Sequence, residues 1–269
     1  MESFKNAQKT GNLLVIDGGG MKIAGCAIGA LKVLDKYFKT NNIKIDRVVG
    51  ISGGAVIASL YALGNTYAQI SKLILYSWTR RVIFDFNPFF FFGLLKGDRI
   101  EEFFKKGFQN KLFSETKIPL SILASRAGFF SIKSEFIEKG YVHEATRASI
   151  SIPLIFKPKK INRKSYFDGE VAMDGLNDII NRFHPREIYY IGIRQEQATL
   201  FERIIKVYNY FFKNRSFFLK KMTIGDQNMI HKIIIPITSH IRLWQNEHLP
   251  LLILSGEKVA NNYLKTIKK

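Results

Sequence analysis

The stretch 46–58 reads Asp-Arg-Val-Val-Gly-Ile-Ser-Gly-Gly-Ala-Val-Ile-Ala, and it decides the fold. Its first half predicts a buried strand over 46–51, and the apolar run from Gly53 predicts a helix that is closed by Gly64. Ser52 stands at the turn between them, in the pattern G-x-S-x-G. Such a turn is sharp, and its small neighbours leave the serine hydroxyl at the positive end of the next helix. Ser52 is therefore the candidate nucleophile, and a glycine-rich turn with an incidental serine is the structural alternative.

A second glycine-rich turn lies earlier in the chain, where an apolar run over 13–16 meets Asp-Gly-Gly-Gly-Met-Lys at 17–22. Glycines let several backbone N–H groups point into one concavity, and such donors stabilise the oxyanion of a tetrahedral intermediate. A phosphate cradle is the rival interpretation, but no G-x-x-x-x-G-K-[ST] is present and the G-x-G-x-x-G template fails at Ile23. The expected oxyanion hole consists of Gly18, Gly19, Gly20 and Gly53.

Two strand–helix units within the first 65 residues or so imply a parallel sheet with crossover helices, and hence an α/β chain. Periodicity predicts further strands over 118–125, 129–136, 160–167, 187–193 and 230–237. It predicts further helices over 66–79, 98–108, 145–151, 200–219 and 251–267, with Asp98 as a cap. Since no repeat or linker interrupts this series, we expect one domain over 1–269.

The composition favours an anionic partner. Lys and Arg number 41 against 22 Asp and Glu, a net charge of +19, and the excess is strong in the last quarter of the chain. Phospholipid surfaces, nucleic acid and acidic proteins all suit such a charge. Cys26 is the lone cysteine, which excludes an intrachain disulfide and a cysteine-built metal site. No apolar stretch resembles a signal peptide, so we expect a cytoplasmic protein, peripheral to a membrane, with leaderless export left open.

Two aromatic segments suit a lipid partner. Residues 84–95 hold six phenylalanines around Pro88, which predicts either a buried loop or a flap that enters lipid or lines an acyl channel. Residues 203–222 interleave lysines and arginines with aromatics. That pattern suits an anionic membrane edge, and also single-stranded nucleic acid or ordinary packing. We favour packing with a membrane-facing edge and expect nucleic acid not to be the partner.

A third motif completes a resemblance. Tyr166-Phe167-Asp168-Gly169-Glu170 places an Asp-Gly turn after a strand, which alone is a common turn signal. With the two glycine turns in this order, the chain resembles the patatin-like phospholipase family over about 12–194. The segments 147–153 and 93–99 are similar to the family's segment ahead of its catalytic Asp and to its mid-domain helix entry. The last quarter of the chain has no counterpart in the resemblance.

The resemblance implies a three-layer α/β/α fold with a mostly parallel sheet and a lipid acyl hydrolase with a Ser-Asp dyad. Ser52 would attack the ester, Asp168 would act as base, and neither metal nor cofactor would be needed. The residues that support the motifs are Asp17, Lys22, Gly50, Gly54 and Gly169. Two positions depart from the family: Ile23 replaces a glycine, and Glu170 replaces a small residue. We expect Glu170 to face solvent, because an inward carboxylate would raise the pKa of Asp168.

Three alternatives remain open at this stage. A Ser-His-Asp triad fits the order of Ser52, Asp168 and the later histidines, but that fold needs several strands before its elbow. An acyltransferase would use the same residues with an alcohol in place of water. A basic lipid- or nucleic-acid-binding module that keeps an inactive hydrolase fold is the alternative outside enzymes. The head group, the acyl position and any activating protein partner are not encoded in these motifs.

Overall fold

The computed structural model describes residues 10–77, 82, 84–88, 93–128, 131–195, 229–237 and 246–267. The strands are β1 (Thr10–Ile16), β2 (Arg47–Ile51), β3 (Leu120–Ala127), β4 (Ile132–Ile137), β5 (Lys159–Ile161), β6 (Lys164–Phe167), β7 (Pro185–Gln195) and β8 (Ile230–Ile237). The α-helices are α1 (Gly20–Thr40), α2 (Gly53–Ala62), α3 (Tyr67–Ser77), α4 (Asp98–Gly107), α5 (Val142–Ser149), α6 (Leu176–Phe183) and α7 (Leu249–Ile267).

These strands form one mostly parallel sheet. Five neighbours, in the order β3-β2-β1-β7-β8, run parallel, while β4, β5 and β6 join one side of the sheet in antiparallel pairs. Chain order reverses at β1, which lies between β2 and β7. In open α/β sheets, ligands bind beyond the carboxyl ends of the strands at such a reversal. Both glycine-rich turns follow β1 and β2 at this edge.

Helices cover both faces of the sheet, because the side chains of β1 alternate between two cores. Leu14 and Ile16 pack with residues of α1 to α5 and α7. Leu13 and Val15 pack against α6, through Leu176, Ile179 and Phe183 on the opposite face. The expected three-layer α/β/α architecture is therefore confirmed, with one thick and one thin helical layer. No helix in the described ranges has the length and apolar character needed to cross a bilayer.

The pairing of β3 explains how two distant parts of the chain meet. Parallel β2 occupies one edge of β3 over Leu120–Leu123, and β4 occupies the opposite edge over Ile122–Ala127. Strand β6 pairs with β3 at Ser125 and Arg126, so it must use the same edge as β2, just beyond the point where β2 ends. The residues that follow β2 and β6 are therefore brought together.

Three elements differ from the sequence-based expectations. The single strand predicted over 160–167 is a hairpin, β5–β6, whose turn residues Asn162 and Arg163 both have positive φ. Asp98 is the first residue of α4, and Gly97 with φ 80° precedes it as the cap. Helix α6 was not predicted, because eight residues are too few for a clear helical period. The helix predicted over 200–219 lies outside the described residues.

Helix α7 crosses α1 at a very short distance. A methyl group added at Gly29 of α1 would overlap the carbonyl oxygen of Ile253, and one added at Gly256 of α7 would overlap that of Cys26. Two helix backbones can approach this closely only where side chains are absent. This contact joins the C-terminal helix to the helix that begins at the glycine-rich turn.

We predict that Gly256→Ala destabilises the protein by about 1–3 kcal/mol, because the methyl group forces the two helices apart. In an exposed helix, the same change stabilises by up to about 1 kcal/mol. The sign of the change in unfolding free energy therefore distinguishes a crowded position from an exposed one. The measurement is the free energy of unfolding in denaturant. The exposed Lys258→Ala in the same helix is the control and should change stability little. A stabilised Gly256→Ala variant would contradict the close crossing.

Candidate active site

Ser52 occupies a strained turn between β2 and α2. Its backbone has φ 48° and ψ −126°, a region that side-chain-bearing residues avoid, and the residue is 2% exposed. The neighbouring glycines make the turn sterically feasible. A methyl group at Gly50 would lie 2.6 Å from Cα of Ala55, and one at Gly54 would overlap the carbonyl oxygen of Asp17. The local sequence therefore forces the serine into a strand-to-helix elbow.

Asp168 lies directly beside Ser52, as the β3 pairing requires. Ser52 Oγ donates a hydrogen bond to Asp168 Oδ2 at 2.7 Å, and the N–H of Glu170 donates to Oδ1 at 2.9 Å. The Asp168 side chain is fully buried. Burial raises the pKa of Asp168 to about 7, and the two hydrogen bonds lower it by less. A carboxyl group with this pKa exchanges protons near neutral pH.

The last residue of α5 and the segment that follows it hold both members of this pair. The N–H of Ser52 donates to Ser149 Oγ at 2.8 Å, and Ser149 Oγ donates to the carbonyl of Leu123 at 2.6 Å. The N–H of Asp168 donates to the carbonyl of Ser151 at 2.9 Å. Reasoning from the sequence assigned no role to these serines. The only signal was the likeness of 147–153 to a family segment.

Two of the expected oxyanion donors lie in direct contact across the site. A methyl group added at Gly53 would overlap the backbone of Gly20, so the elbow and the first glycine-rich turn touch. Gly19 and Gly20 both have positive φ, and Gly20 begins α1, where backbone N–H groups lack partners within the helix. Gly20 at the start of α1 and Gly53 at the start of α2 line one cavity together with Ser52.

Gly18 differs from its neighbours, because its N–H faces the carboxylate of Asp17. Burial raises the pKa of Asp17, and hydrogen bonds from the Tyr190 hydroxyl and from the N–H of Gly18 lower it. This bonding fixes the start of the loop after β1. Lys22 is buried in the first turn of α1, 6% exposed.

The two positions that depart from the family are both accommodated. Ile23 is fully buried and its Cβ lies under Gly19, so it packs beneath the turn rather than blocking it. Glu170 was expected to face solvent, but it is half-buried and its carboxylate covers Gly18 so closely that a methyl group there would overlap Oε1. The main cause of the raised pKa of Asp168 is nevertheless its burial.

An apolar cavity opens beside the hydroxyl of Ser52. Gly20, Ser52 and Gly53 lie at one side of it, and the rest of its wall is Met21, Ala24, Val56, Ile74, Ile100, Ile150, Ile152 and Phe156. The cavity is narrow, about 40 Å³ in volume. A long alkyl chain would fit only after flexible side chains such as Met21 move aside. The lining excludes charge and suits hydrocarbon.

Other candidate groups lie in structural settings. His231 donates or accepts a hydrogen bond with the Tyr263 hydroxyl and stacks on Tyr189, and His143 lies beside Glu101. His240 is outside the described residues. Burial raises the pKa of the Cys26 thiol to about 12, which keeps it protonated and unreactive. Within the described ranges, no three His, Cys, Asp or Glu side chains are grouped to hold a metal ion.

Comparison with known proteins gives consistent matches. Residues 14–176 match the sequence model of a family described as Patatin-like phospholipase. The uncharacterized protein R571 of Acanthamoeba polyphaga mimivirus is 26% identical over 274 residues, which span 88% of this chain and 89% of that protein.

Solved structures share the fold at low sequence identity. VipD from Legionella pneumophila superposes with a TM-score of 0.60 at 12% identity, over 97% of this chain and 67% of VipD. ExoU, solved in complex with SpcU from the type III secretion system of Pseudomonas aeruginosa, gives 0.55 at 11% identity. That match spans 97% of this chain and 53% of ExoU.

We predict that Ser52→Gly is more stable than Ser52→Ala by about 1 kcal/mol, because glycine relieves the positive φ at the elbow. Both variants lose the hydroxyl and its hydrogen bond to Asp168, so the comparison isolates backbone strain. Denaturant unfolding of the two variants provides the measurement. Equal stabilities, or a more stable alanine variant, would show that the elbow is relaxed.

We predict that Asp168→Asn changes the pH dependence of stability. The folded state raises the pKa of Asp168 from 3.8 to about 7, so it binds this proton more tightly than the unfolded chain does. The contribution of this group to the free energy of unfolding therefore falls as pH rises from about 4 to about 7. Asparagine removes that loss, so the variant should gain stability relative to wild type at about pH 8 compared with about pH 5. A difference between the two proteins that does not change with pH would contradict the buried carboxylate.

Proposed function

This chain belongs to the patatin-like phospholipase family, and we propose that it hydrolyses lipid acyl esters, as a phospholipase A or lysophospholipase, through Ser52 and Asp168. The observation that carries the proposal is the buried 2.7 Å hydrogen bond between Ser52 Oγ and Asp168 Oδ2. A serine hydroxyl is a weak nucleophile unless a neighbouring base accepts its proton. Asp168, with its pKa raised to about 7, is suited to that role near neutral pH.

In the first half of the reaction, Ser52 Oγ attacks the carbonyl carbon of the ester while Asp168 accepts the hydroxyl proton. The carbonyl oxygen becomes an oxyanion, which the N–H groups of Gly19, Gly20 and Gly53 stabilise. Removal of one such donor costs about 2.7–4 kcal/mol of transition-state stabilisation in other hydrolases. The intermediate then collapses, the bond to the leaving alcohol breaks, and Asp168 returns the proton to that alcohol. The product is an acyl ester of Ser52.

In the second half, water replaces the alcohol. Asp168 accepts a proton from the water as its oxygen attacks the acyl carbon, and the same N–H groups stabilise the second oxyanion. Collapse releases a fatty acid, and the proton on Asp168 returns to Ser52 Oγ. Apart from the lipid ester and water, every group in both steps comes from the chain, so the proposal includes neither a metal nor a cofactor.

The cavity indicates which part of the substrate lies where. Its apolar wall begins at Ser52 and suits the acyl chain of the lipid, while the leaving alcohol faces Asp168, which protonates it. Glu170 extends from the same turn as Asp168, so its carboxylate borders the alcohol side of the site. The basic composition of the chain favours substrate presented on an anionic membrane.

We expect the wild-type protein to release fatty acid from phospholipid or lysophospholipid in mixed micelles. The value of kcat/KM should rise with pH through an apparent pKa of about 7, because Asp168 must be ionised to accept the proton. Asp168→Asn should lower it by about 10²–10⁴-fold, and Ser52→Ala should lower it to background. Lipid-product mass spectrometry makes the measurement, and adding a free alcohol reveals any transfer of the acyl group.

Two controls make this test specific. Asp46→Asn alters a carboxylate at the opposite end of β2 from Ser52 and should keep full activity. A fluorophosphonate probe should label wild type and leave Ser52→Ala unlabelled. Full turnover by Asp168→Asn would reject the dyad, and labelling at another residue would reject Ser52 as the nucleophile.

A further inference from the structure

An exposed apolar face lies beside the cavity. Phe86, Leu94 and Leu154 are 76%, 56% and 57% exposed, and we call these three residues the mouth patch. Residues 84–95 were expected to form either a buried loop or a lipid flap. The described part has exposed Phe86 and Leu94 beside Asp85, Asn87 and Leu95, which are buried. Residues 89–92 lie outside the described residues.

Backbone hydrogen bonds hold the mouth patch in place. Phe86 and Leu95 form an antiparallel bridge, and the N–H of Asn87 donates to the carbonyl of Leu94 at 2.9 Å. The N–H of Leu94 donates to the carbonyl of Leu154 at 3.0 Å. The three residues therefore belong to segments whose backbones are hydrogen-bonded to one another.

A buried arginine, Arg147, binds the backbone next to the mouth patch. The guanidinium of Arg147 donates to the carbonyls of Lys96, Gly97 and Lys157 at 2.8–3.0 Å, and it lies over the ring of Phe156. Burial lowers the pKa of Arg147 to about 10, which still leaves it charged at neutral pH. The exposed patch is thus supported by a rigid base rather than by a loose loop.

The mouth patch is continuous with the cavity. Leu154 lies between Ile152 and Phe156, and both of these side chains line the cavity beside Ser52. The N–H of Phe156 donates to the carbonyl of Ile152 at 2.8 Å, which closes a tight turn with Leu154 exposed within it. Exposed Leu154 therefore adjoins the part of the cavity wall that Ile152 and Phe156 form.

Positive charge borders the same face. Lys96, Arg99 and Lys157 are exposed and follow the patch residues closely in the chain, with Asp98 as an exposed carboxylate among them. Asp85 is buried and accepts the N–H groups of Gly97 and Arg99. Apolar side chains rimmed by cations match a bilayer whose lipids carry negative head groups.

We propose that the mouth patch and its rim of Lys96, Arg99 and Lys157 dock the protein on an anionic phospholipid bilayer, with the cavity opening against the membrane. The part of this proposal that turns the cavity toward the membrane rests on the proposed hydrolase function. Docking itself requires no turnover, so it is tested separately, in protein carrying Ser52→Ala.

The test is vesicle co-sedimentation with phosphatidylcholine vesicles, with and without phosphatidylglycerol. We expect preferential binding to the anionic vesicles, weakened by salt. Replacing Phe86, Leu94 and Leu154 by Ser should weaken binding by at least about tenfold, because these side chains supply the apolar contact. Replacing Lys96, Arg99 and Lys157 by Gln should remove the preference for phosphatidylglycerol.

A matched control is available on another face. Leu251 and Leu254 of α7 are 64% and 61% exposed, so Leu251→Ser with Leu254→Ser also removes exposed apolar surface and should leave binding unchanged. An equal loss of vesicle binding in both variants would show nonspecific hydrophobic binding and overturn the proposal. Unchanged binding by the patch variant would overturn it, because another surface would then bind the vesicles. If the patch variant does not fold, the charge variant decides, and a retained preference for anionic vesicles overturns the proposal.

Because the vesicle test uses protein without the Ser52 hydroxyl, its outcome is independent of catalysis. The patch substitutions are also made in protein that keeps Ser52. If this variant cleaves a water-soluble ester normally while docking is lost, both the docking proposal and the hydrolase proposal are supported. Docking without any esterase activity would reject the hydrolase and keep the patch.

Discussion

The hydrogen bond between Ser52 Oγ and Asp168 Oδ2 is the contact on which the rest of the site depends. The two residues are 116 positions apart, and the sheet brings them together because β2 and β6 follow one another along the same edge of β3. Gly169 allows the close approach, since a methyl group there would lie 2.5 Å from the carbonyl oxygen of Leu123. The dyad is thus a product of strand pairing rather than of a flexible loop.

Two features of the site oppose folding. Asp168 is a buried carboxyl group whose charged form is penalised by desolvation, and Ser52 has a positive φ that strains its backbone. Neighbouring groups offset these costs: Ser149 and Ser151 bond the N–H groups of both residues, and the Glu170 N–H bonds the carboxylate. In the proposed reaction, the same arrangement would supply a desolvated base and a fixed hydroxyl, which need no reorganisation when the ester arrives. Glu170 adds a second carboxylate, which lies against Gly18.

Local pattern was enough to predict the features that arise from neighbouring residues. The apolar runs before Asp17 and Ser52 predicted β1 and β2, and their glycines predicted the two turns that meet at Gly20 and Gly53. Features that depend on distant contacts were not predictable in this way. The hydrogen bonds of Ser149 and the inward position of Glu170 arise only once β3 pairs with its neighbours. Asp168 itself was identified through resemblance to a family, since an Asp-Gly turn in isolation has no distinctive chemistry.

The most direct test of the account is a crystal structure of the protein after reaction with a long-chain alkyl phosphonate, whose tetrahedral phosphorus stands in for the reacting carbon. We expect phosphorus bonded to Ser52 Oγ, the phosphoryl oxygen within hydrogen-bonding distance of the N–H groups of Gly20 and Gly53, and the alkyl chain in the cavity lined by Ile74 and Ile152. A phosphoryl oxygen directed away from both glycines, or an alkyl chain outside that cavity, would contradict the account.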